Sequence, residues 1–164
     1  MSMRTACGVA VLLLVSSPSA RASDTQAERQ SLKGLESISV LIESVEPELE
    51  RDGIVASQLK TDVESRLRES GIRVSNLPEA VFVYVAVKAL KRSAGSGYVY
   101  TVTLEVEQPV TVDRTGQSLR GSTWSAPSTV GIVPLDRASP VVREVVRDQV
   151  DKFINAFLAV NPKP

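Results

Sequence analysis

The stretch of chain at residues 81–90 constrains the fold more than any other part of the sequence. Its apolar side chains occupy both faces of an extended chain: Val81, Val83, Val85 and Val87 on one, Phe82, Tyr84, Ala86 and Leu90 on the other. A strand that is apolar on both faces is typical of the centre of a sheet. A glycine-rich turn at 94–97 and a second alternating segment at 98–107 come next. The pattern therefore predicts a long antiparallel hairpin whose second strand, with Glu105 and Glu107, has one polar face.

The other periodic segments predict helices and strands on either side of this hairpin. Alternation at 36–45 predicts a strand, and apolar residues four apart at 55–70 predict a helix. A short strand is expected at 72–74, and a weaker strand region at 120–133, which has a proline in its middle. A second helix is predicted at 139–160, where a serine and a proline stand at the expected cap and first helical position.

These elements predict one domain of the α+β class over residues 35–162. We expect a single two-layer domain, with a mainly antiparallel sheet of four to five strands and two helices on one face. On the exposed side of the first helix, Asp62 precedes Arg66 by four residues, and Glu64 precedes Arg68 by the same spacing. This acid-then-base order predicts two ion pairs within that helix.

The first 22 residues have the features of a secretory signal. A basic residue, Arg4, precedes the apolar run 9–15, and a proline and an A-x-A sequence come after it. The run is too short to cross a membrane, which takes about 20 apolar residues. We therefore predict a signal peptide at 1–22, a flexible lead-in at 23–34, and a periplasmic or secreted location.

Composition removes several classes of chemistry. The chain has no His, and its single cysteine, Cys7, lies in the predicted signal. The exported chain then lacks the commonest general base and the side chains that most often bind zinc or copper, so we expect no cofactor and no metal. With 19 basic and 19 acidic residues the formal net charge is zero, which argues against a nucleic-acid partner. We expect no membrane span, since no apolar stretch after the signal reaches the necessary length.

Acidic residues offer the remaining route to catalysis, because two carboxyl groups at a suitable separation hydrolyse glycosides. The acids cluster in two places: Glu43, Glu46, Glu48 and Glu50 after the first strand, and Glu105 and Glu107 on the hairpin. Such residues are ordinarily solvated groups that keep a protein soluble, so we predict no catalytic residues. A small carboxylate-dependent hydrolase remains one alternative. The other is a carrier of a small apolar ligand, which needs a cavity of roughly 300 Å³ or more between sheet and helices.

Three aromatic residues are the candidates for binding. Trp124, the only tryptophan, is either a core residue whose indole N–H finds an acceptor or the anchor of a binding surface. Phe82 and Tyr84 lie on the second face of the central strand. If both helices cover the first face, this second face is covered by the amino-terminal segment or by another chain.

Five segments carry a family resemblance: Lys60–Glu64, Leu67–Val74, Thr123–Ser125, Val130–Val133 and Val150–Pro162. Together they resemble a family of small secreted, uncharacterised bacterial proteins. The resemblance implies an exported α+β protein, and the family has no established activity. A looser likeness of fold is to the amino-terminal domain of the Tol-Pal propeller protein and to curli-secretion-type lipoproteins, which use similar units in envelope assemblies. The chain departs from the family at Val55, where the family tends to place a capping threonine.

We therefore predict a non-catalytic, exported (periplasmic) binding or envelope-assembly module. The partner that fits this prediction is another envelope protein, contacted through Trp124, Phe82 and Tyr84. The oligomeric state is not specified by any of these patterns.

Overall fold

The computed structural model describes residues 24–76, 80–93 and 96–162. The predicted signal peptide at 1–22 and the first half of the predicted turn, Ala94 and Gly95, lie outside these residues. Five strands form one sheet: β1 (Ser39–Ile42), β2 (Phe82–Lys91), β3 (Gly97–Val112), β4 (Gln117–Ser125) and β5 (Thr129–Pro134).

The sheet is built around the predicted hairpin. β2 and β3 pair in antiparallel register from Phe82 opposite Glu107 to Lys91 opposite Tyr98. β1 lies parallel to β2 on its other side, so β2 has a neighbour at each edge, as its two apolar faces predict. β4 and β5 are both antiparallel to β3 and share its second edge, β4 beside the later half and β5 beside the earlier half.

Four α-helices accompany the sheet: α1 (Gln26–Gln30), α2 (Pro47–Arg51), α3 (Ala56–Glu69) and α4 (Ala138–Val160). The two long helices bury the apolar stripes that the sequence predicts: Leu59, Val63 and Leu67 in α3, and Val142, Val146, Val150, Phe153 and Phe157 in α4. α3 begins after Val55, which makes no side-chain cap, and Gly71 with φ 81° comes after its end as the left-handed residue that stops helices.

α3 and α4 pack on one face of the sheet and bury it. The strand residues that face them are almost fully enclosed: Val83, Val85 and Val87 in β2, and Tyr98, Tyr100, Val102, Leu104 and Val106 in β3. Alternate residues of the same strands point to the opposite side, which we call the open face. The predicted α+β class is confirmed, as a single five-stranded sheet with the two long helices on one side.

Three segments differ from their predicted form. The strand expected at 72–74 is reduced to a single parallel bridge between Val74 and Ile38. The weak strand region at 120–133 is two strands, because Pro127 has no N–H to continue a ladder and separates β4 from β5. Within the lead-in predicted at 23–34, α1 forms, and a reciprocal capping box between Thr25 and Glu28 caps its amino-terminal end. Leu32, just after it, is fully buried. The structure therefore gives this part of the chain an ordered helix that docks on the domain.

The ion pairs on α3 also differ in part from the prediction. The predicted pair of Glu64 with Arg68 is present, at 3.0 Å. Asp62 and Arg66 instead bind across to α4: Arg143 donates to Asp62 at 2.8 and 3.0 Å, and Arg66 donates to Asp151 at 2.7 and 3.0 Å. Each guanidinium is bidentate on its carboxylate, a geometry that fixes orientation better than a single contact does. The two pairs thus tie the long helices together.

Candidate binding surface

One end of the open face gathers the chemistry that the sequence singles out. The register sets Tyr84 of β2 opposite Glu105 of β3, and Phe82 opposite Glu107. Glu43, which comes directly after β1, also interacts with Tyr84. We call these five residues the aromatic–acidic end of the open face. Both aromatic side chains are half-buried, so a part of each ring is available at the surface.

Phe82 is held by a cation above its ring. The guanidinium carbon of Arg120, on β4, lies 4.7 Å from the ring centroid. The same guanidinium donates a hydrogen bond to the carbonyl of Ala80 at 2.9 Å. A cation over an aromatic face is favourable, and here it fixes the ring orientation from the β4 side. These contacts within the chain therefore fix the position of the Phe82 ring.

Tyr84 lies among negative charges. Burial, then a hydrogen bond to Glu43, then the charges of Glu107 and Glu105 raise the pKa of Tyr84 to about 12. Lys88, which donates to Glu43 at 2.8 Å, is the main cause that lowers the pKa of the Glu43 carboxyl. The phenol is consequently a neutral hydrogen-bond donor at physiological pH, with the side chains of three glutamates around it. Such an arrangement attracts cationic groups.

Trp124 occupies a different place. Its side chain is fully buried on the helix side of β4, and its indole N–H donates to Asp24 at 2.8 Å. Phe153 of α4 meets the indole edge-on, with ring centroids 5.5 Å apart. These contacts are those of a core residue whose indole N–H has an acceptor, the first of the two roles predicted for Trp124. The structure brings Phe82 and Tyr84 together on the open face and places Trp124 behind them.

Asp24 is a residue that sequence reasoning missed. It accepts from Trp124 and also from Arg29, which donates to it at 2.8 and 2.5 Å. Arg29 is the largest cause that lowers the pKa of Asp24, and the indole adds to the shift. The residue stands in the segment predicted to be a mobile lead-in, a hundred positions from its indole partner. No local pattern signals a contact at that separation.

Two carboxyl groups among residues 24–76, 80–93 and 96–162 have clearly shifted pKa values, and both are shifted downward. A general acid needs a pKa raised toward neutrality, usually by burial. The two carboxyl groups with clear shifts, Asp24 and Glu43, have lowered pKa values because each binds a cationic side chain. Among the same residues, no group of three or more acidic, Cys or His side chains is positioned to hold a metal ion.

The hollows of the surface lie elsewhere. A groove of about 440 Å³ runs between α3 and α4 and is lined by Asp62, Arg66, Arg143 and Arg147 with apolar residues beneath. An apolar-ligand carrier needs an apolar cavity between sheet and helices, whereas this groove is bounded by two helices and rimmed by ion pairs. None of the helices in the described part of the chain combines the length and apolar character that crossing a membrane requires.

Comparison with known proteins gives distant likenesses of architecture. The chain is similar to PelC from Paraburkholderia phytofirmans, a dodecamer, at 15% identity over 74% of this chain and 86% of that chain, with a TM-score of 0.40. It is similar to a minor lipoprotein from Acinetobacter baumannii at 16% identity over 77% of this chain and 94% of that chain, with a TM-score of 0.41. No protein-family model and no curated protein matches the chain.

Proposed function

We propose that this protein is a non-catalytic, exported binding module of the cell envelope, which contacts a basic segment of another envelope protein through the aromatic–acidic end. The observation that supports the proposal is the pairing of two half-buried aromatic rings with carboxylates that are still free to bind cations. Glu105 and Glu107 form no ion pair with any described residue. Aromatic anchors beside unpaired charges are typical of residues that dominate protein interfaces.

Trp124 contributes to this surface from the core side. Its strand neighbour Ser125 is paired with Glu105, and Trp124 itself is paired with Val106. A buried indole with a satisfied N–H fixes β4 against β3, and so fixes the position of the carboxylate next to it. We therefore assign Trp124 the role of a support for the aromatic–acidic end, with Phe82 and Tyr84 as the contacts.

Site-specific crosslinking in living cells tests the contact. A photo-reactive phenylalanine analogue replaces Tyr84 in one strain and Gln58, an exposed residue of α3, in the other. We expect a discrete adduct with one envelope protein from position 84 and none from position 58. Equal adducts from both positions contradict the proposal.

The charge of the surface is tested in the same strain. The double variant Glu105→Gln and Glu107→Gln removes the unpaired carboxylates, and we expect the adduct to fall at least about fivefold, since attraction of a basic segment is lost. The matched control neutralises two exposed acids elsewhere, Asp113→Asn and Glu144→Gln, and should leave the adduct unchanged. An adduct that survives the first pair of changes shows that the partner is not recognised by its positive charge.

Export is tested separately. The amino terminus of the protein recovered from the envelope fraction should be Ser23, as cleavage after Ala22 predicts. Recovery of the chain in the cytosol with Met1 or Ser2 at its start contradicts this part of the proposal.

A further inference from the structure

The second end of the open face carries a cluster of exposed apolar side chains. Leu90, Val99, Val130 and Ile132 are 75%, 38%, 68% and 65% exposed, and they are four of the six large apolar side chains that the described surface exposes. The register sets Leu90 opposite Val99 and Val99 opposite Ile132, so these three form one row. Val130 lies on the same face, two residues along β5. We call the four residues the apolar corner. Exposed apolar groups gathered at one site mark an interaction surface.

The apolar corner adjoins an unpaired strand edge. In the described chain β5 pairs with β3 alone, and no other segment makes a backbone hydrogen bond to Thr129–Pro134. The neighbouring edges are better covered: Ser31 donates to the carbonyl of Thr123 in β4, and Ile38, just before β1, exchanges backbone hydrogen bonds with the segment at 73–75. Proteins usually protect an edge with charged side chains, and β5 has none.

β5 is held rigidly from behind. The buried amide of Gln149 in α4 donates to the carbonyl of Pro127 at 2.9 Å and to the hydroxyl of Thr129 at 2.7 Å. At Gly131 the ring of Tyr100 fills the space in which a side chain would lie, with its hydroxyl 2.5 Å from the position of a Cβ. An edge fixed in this way loses little conformational entropy when it pairs with another strand.

The symmetry of such a contact selects the partner. In a two-fold contact each surface meets itself, so an uncharged apolar patch fits where a charged patch would repel its copy. If β5 pairs antiparallel with β5 of a second copy, centred on Gly131, then Val130 lies beside the second copy's Ile132. Both apolar corners then lie on the same face of one continuous sheet and form a single stripe. The helices of both copies lie on the other face.

We propose that the β5 edge and the apolar corner are a self-association surface, at which two copies of this chain pair their β5 strands antiparallel through Gly131. The occupant is therefore a second copy of the chain rather than an extended peptide of another protein. The surface is distinct from the aromatic–acidic end, so one copy can bind its envelope partner while it is paired with the other.

Sedimentation of the purified full chain tests the proposal. We expect a reversible monomer–dimer equilibrium at micromolar concentrations. Association should be at least about tenfold weaker for Ile132→Lys, which sets a charged side chain against the second copy's Val130. Leu119→Lys is the matched control, because Leu119 is 45% exposed and lies outside the apolar corner. Circular dichroism of both variants verifies folding. A chain that stays monomeric at every concentration, or a dimer that Ile132→Lys leaves intact, overturns the proposal.

A disulfide experiment tests the register. Chains with Val130→Cys and with Ile132→Cys, both in a Cys7→Ser background, are oxidised separately and as a mixture. Directly opposed cross-strand residues, such as Val130 and the second copy's Ile132, have Cβ atoms about 4.5–5.5 Å apart. In this register two like residues are diagonal neighbours, about 7–8 Å apart. We therefore expect covalent dimers mainly in the mixture. Equal yields in the mixture and in each chain alone contradict antiparallel pairing through Gly131.

Discussion

Asp24 links the start of the described chain to the centre of the core. Its carboxylate accepts from the indole of Trp124 and from Arg29, and its backbone has φ 63°, the left-handed region. Asp and Asn are the side chains that tolerate this region best after glycine. One residue therefore satisfies a buried donor, neutralises a guanidinium and allows the chain to turn.

Replacement of Asp24 should show which of these roles is largest. Asp24→Ala leaves the indole N–H of Trp124 without an acceptor, and we expect a loss of about 2–3 kcal/mol in the free energy of unfolding. Asp24→Asn keeps an acceptor and the left-handed backbone, and should lose about 1 kcal/mol or less. Urea denaturation followed by the fluorescence of the single tryptophan measures both. Equal losses would show that the charge on Arg29, and not the indole, determines the stability.

Gln149 is the buried polar residue of the core, and its Oε1 has no hydrogen-bond partner among the described residues. Gln149→Glu should destabilise the protein by about 2–4 kcal/mol at neutral pH, because an ionised carboxylate then faces the carbonyl of Pro127. Burial raises the pKa of the new carboxyl in the folded chain, so the native state binds its proton more tightly than the unfolded state does. The penalty is present above the unfolded pKa and shrinks as the pH falls toward it.

The measurement is the difference in unfolding free energy between wild type and Gln149→Glu at pH 7 and at pH 5. Gln149→Met is the control: it removes the unsatisfied oxygen together with the donors, and we expect a smaller loss that does not depend on pH. A Gln149→Glu loss that is the same at both pH values would mean that the side chain turns out to solvent.

At the scale of elements, the fit of β5 against β3 depends on Gly131. A Cβ at this position would lie 2.5–2.8 Å from three atoms of the Tyr100 side chain, the hydroxyl oxygen and two ring carbons. Gly131→Ala should therefore destabilise the protein by about 1–3 kcal/mol. In a Tyr100→Leu background, which lacks the ring, the same change should have a clearly smaller effect, since contacting residues are not additive. Thermal unfolding of the four chains gives this comparison, and strict additivity would contradict the contact.

The elements that could be predicted are those whose apolar residues recur at a regular spacing. α3 and α4 bury stripes with a step of three or four residues, and β2 and β3 alternate over most of their length. α2 has five residues and a single buried one, Leu49, so it offers no period to detect. α1 is stabilised partly by the residues just after it: Leu32 enters the core, and Gly34 donates to Asn161 at 2.7 Å. The second of these contacts is with a residue near the other end of the chain, which a local pattern does not reveal.

The candidate site shows the same division between local and distant information. Phe82 and Tyr84 could be placed on one strand face from alternation alone, and the structure brings them to one surface. Whether Trp124 faces the core depends on which residues of β4 point inward. A one-residue bulge in β4, opposite Val106 and Glu107, shifts the inward–outward alternation of its side chains by one residue. A bulge has no sequence signal of its own here, so alternation could not assign Trp124 to the core.

At the scale of the whole molecule, two tyrosines link stability to alkaline pH. Tyr98 is 1% exposed and donates to Asp52, on the loop after α2, at 2.5 Å. This hydrogen bond, followed by burial, raises the pKa of Tyr98 to about 12, and burial does the same for Tyr84. An unfolded tyrosine has a pKa of about 10, so between these values the unfolded chain loses protons that the folded chain retains. The stabilisation that the raised tyrosine pKa values provide is fully present below about pH 10 and is lost as the pH rises toward 12.

Tyr98→Phe should make this alkaline loss shallower. The variant loses the hydrogen bond to Asp52, so we expect about 1 kcal/mol less stability at pH 8. Above pH 10 it no longer has the phenol to titrate, and the slope of unfolding free energy against pH should be smaller by up to about 1.4 kcal/mol per pH unit. Asp52→Asn is the companion variant: it keeps the phenol and an acceptor but removes the negative charge, so its slope should lie between the two. Parallel curves for wild type and Tyr98→Phe between pH 10 and pH 12 would show that Tyr98 titrates alike in the folded and unfolded states. Its hydrogen bond to Asp52 would then not persist at alkaline pH.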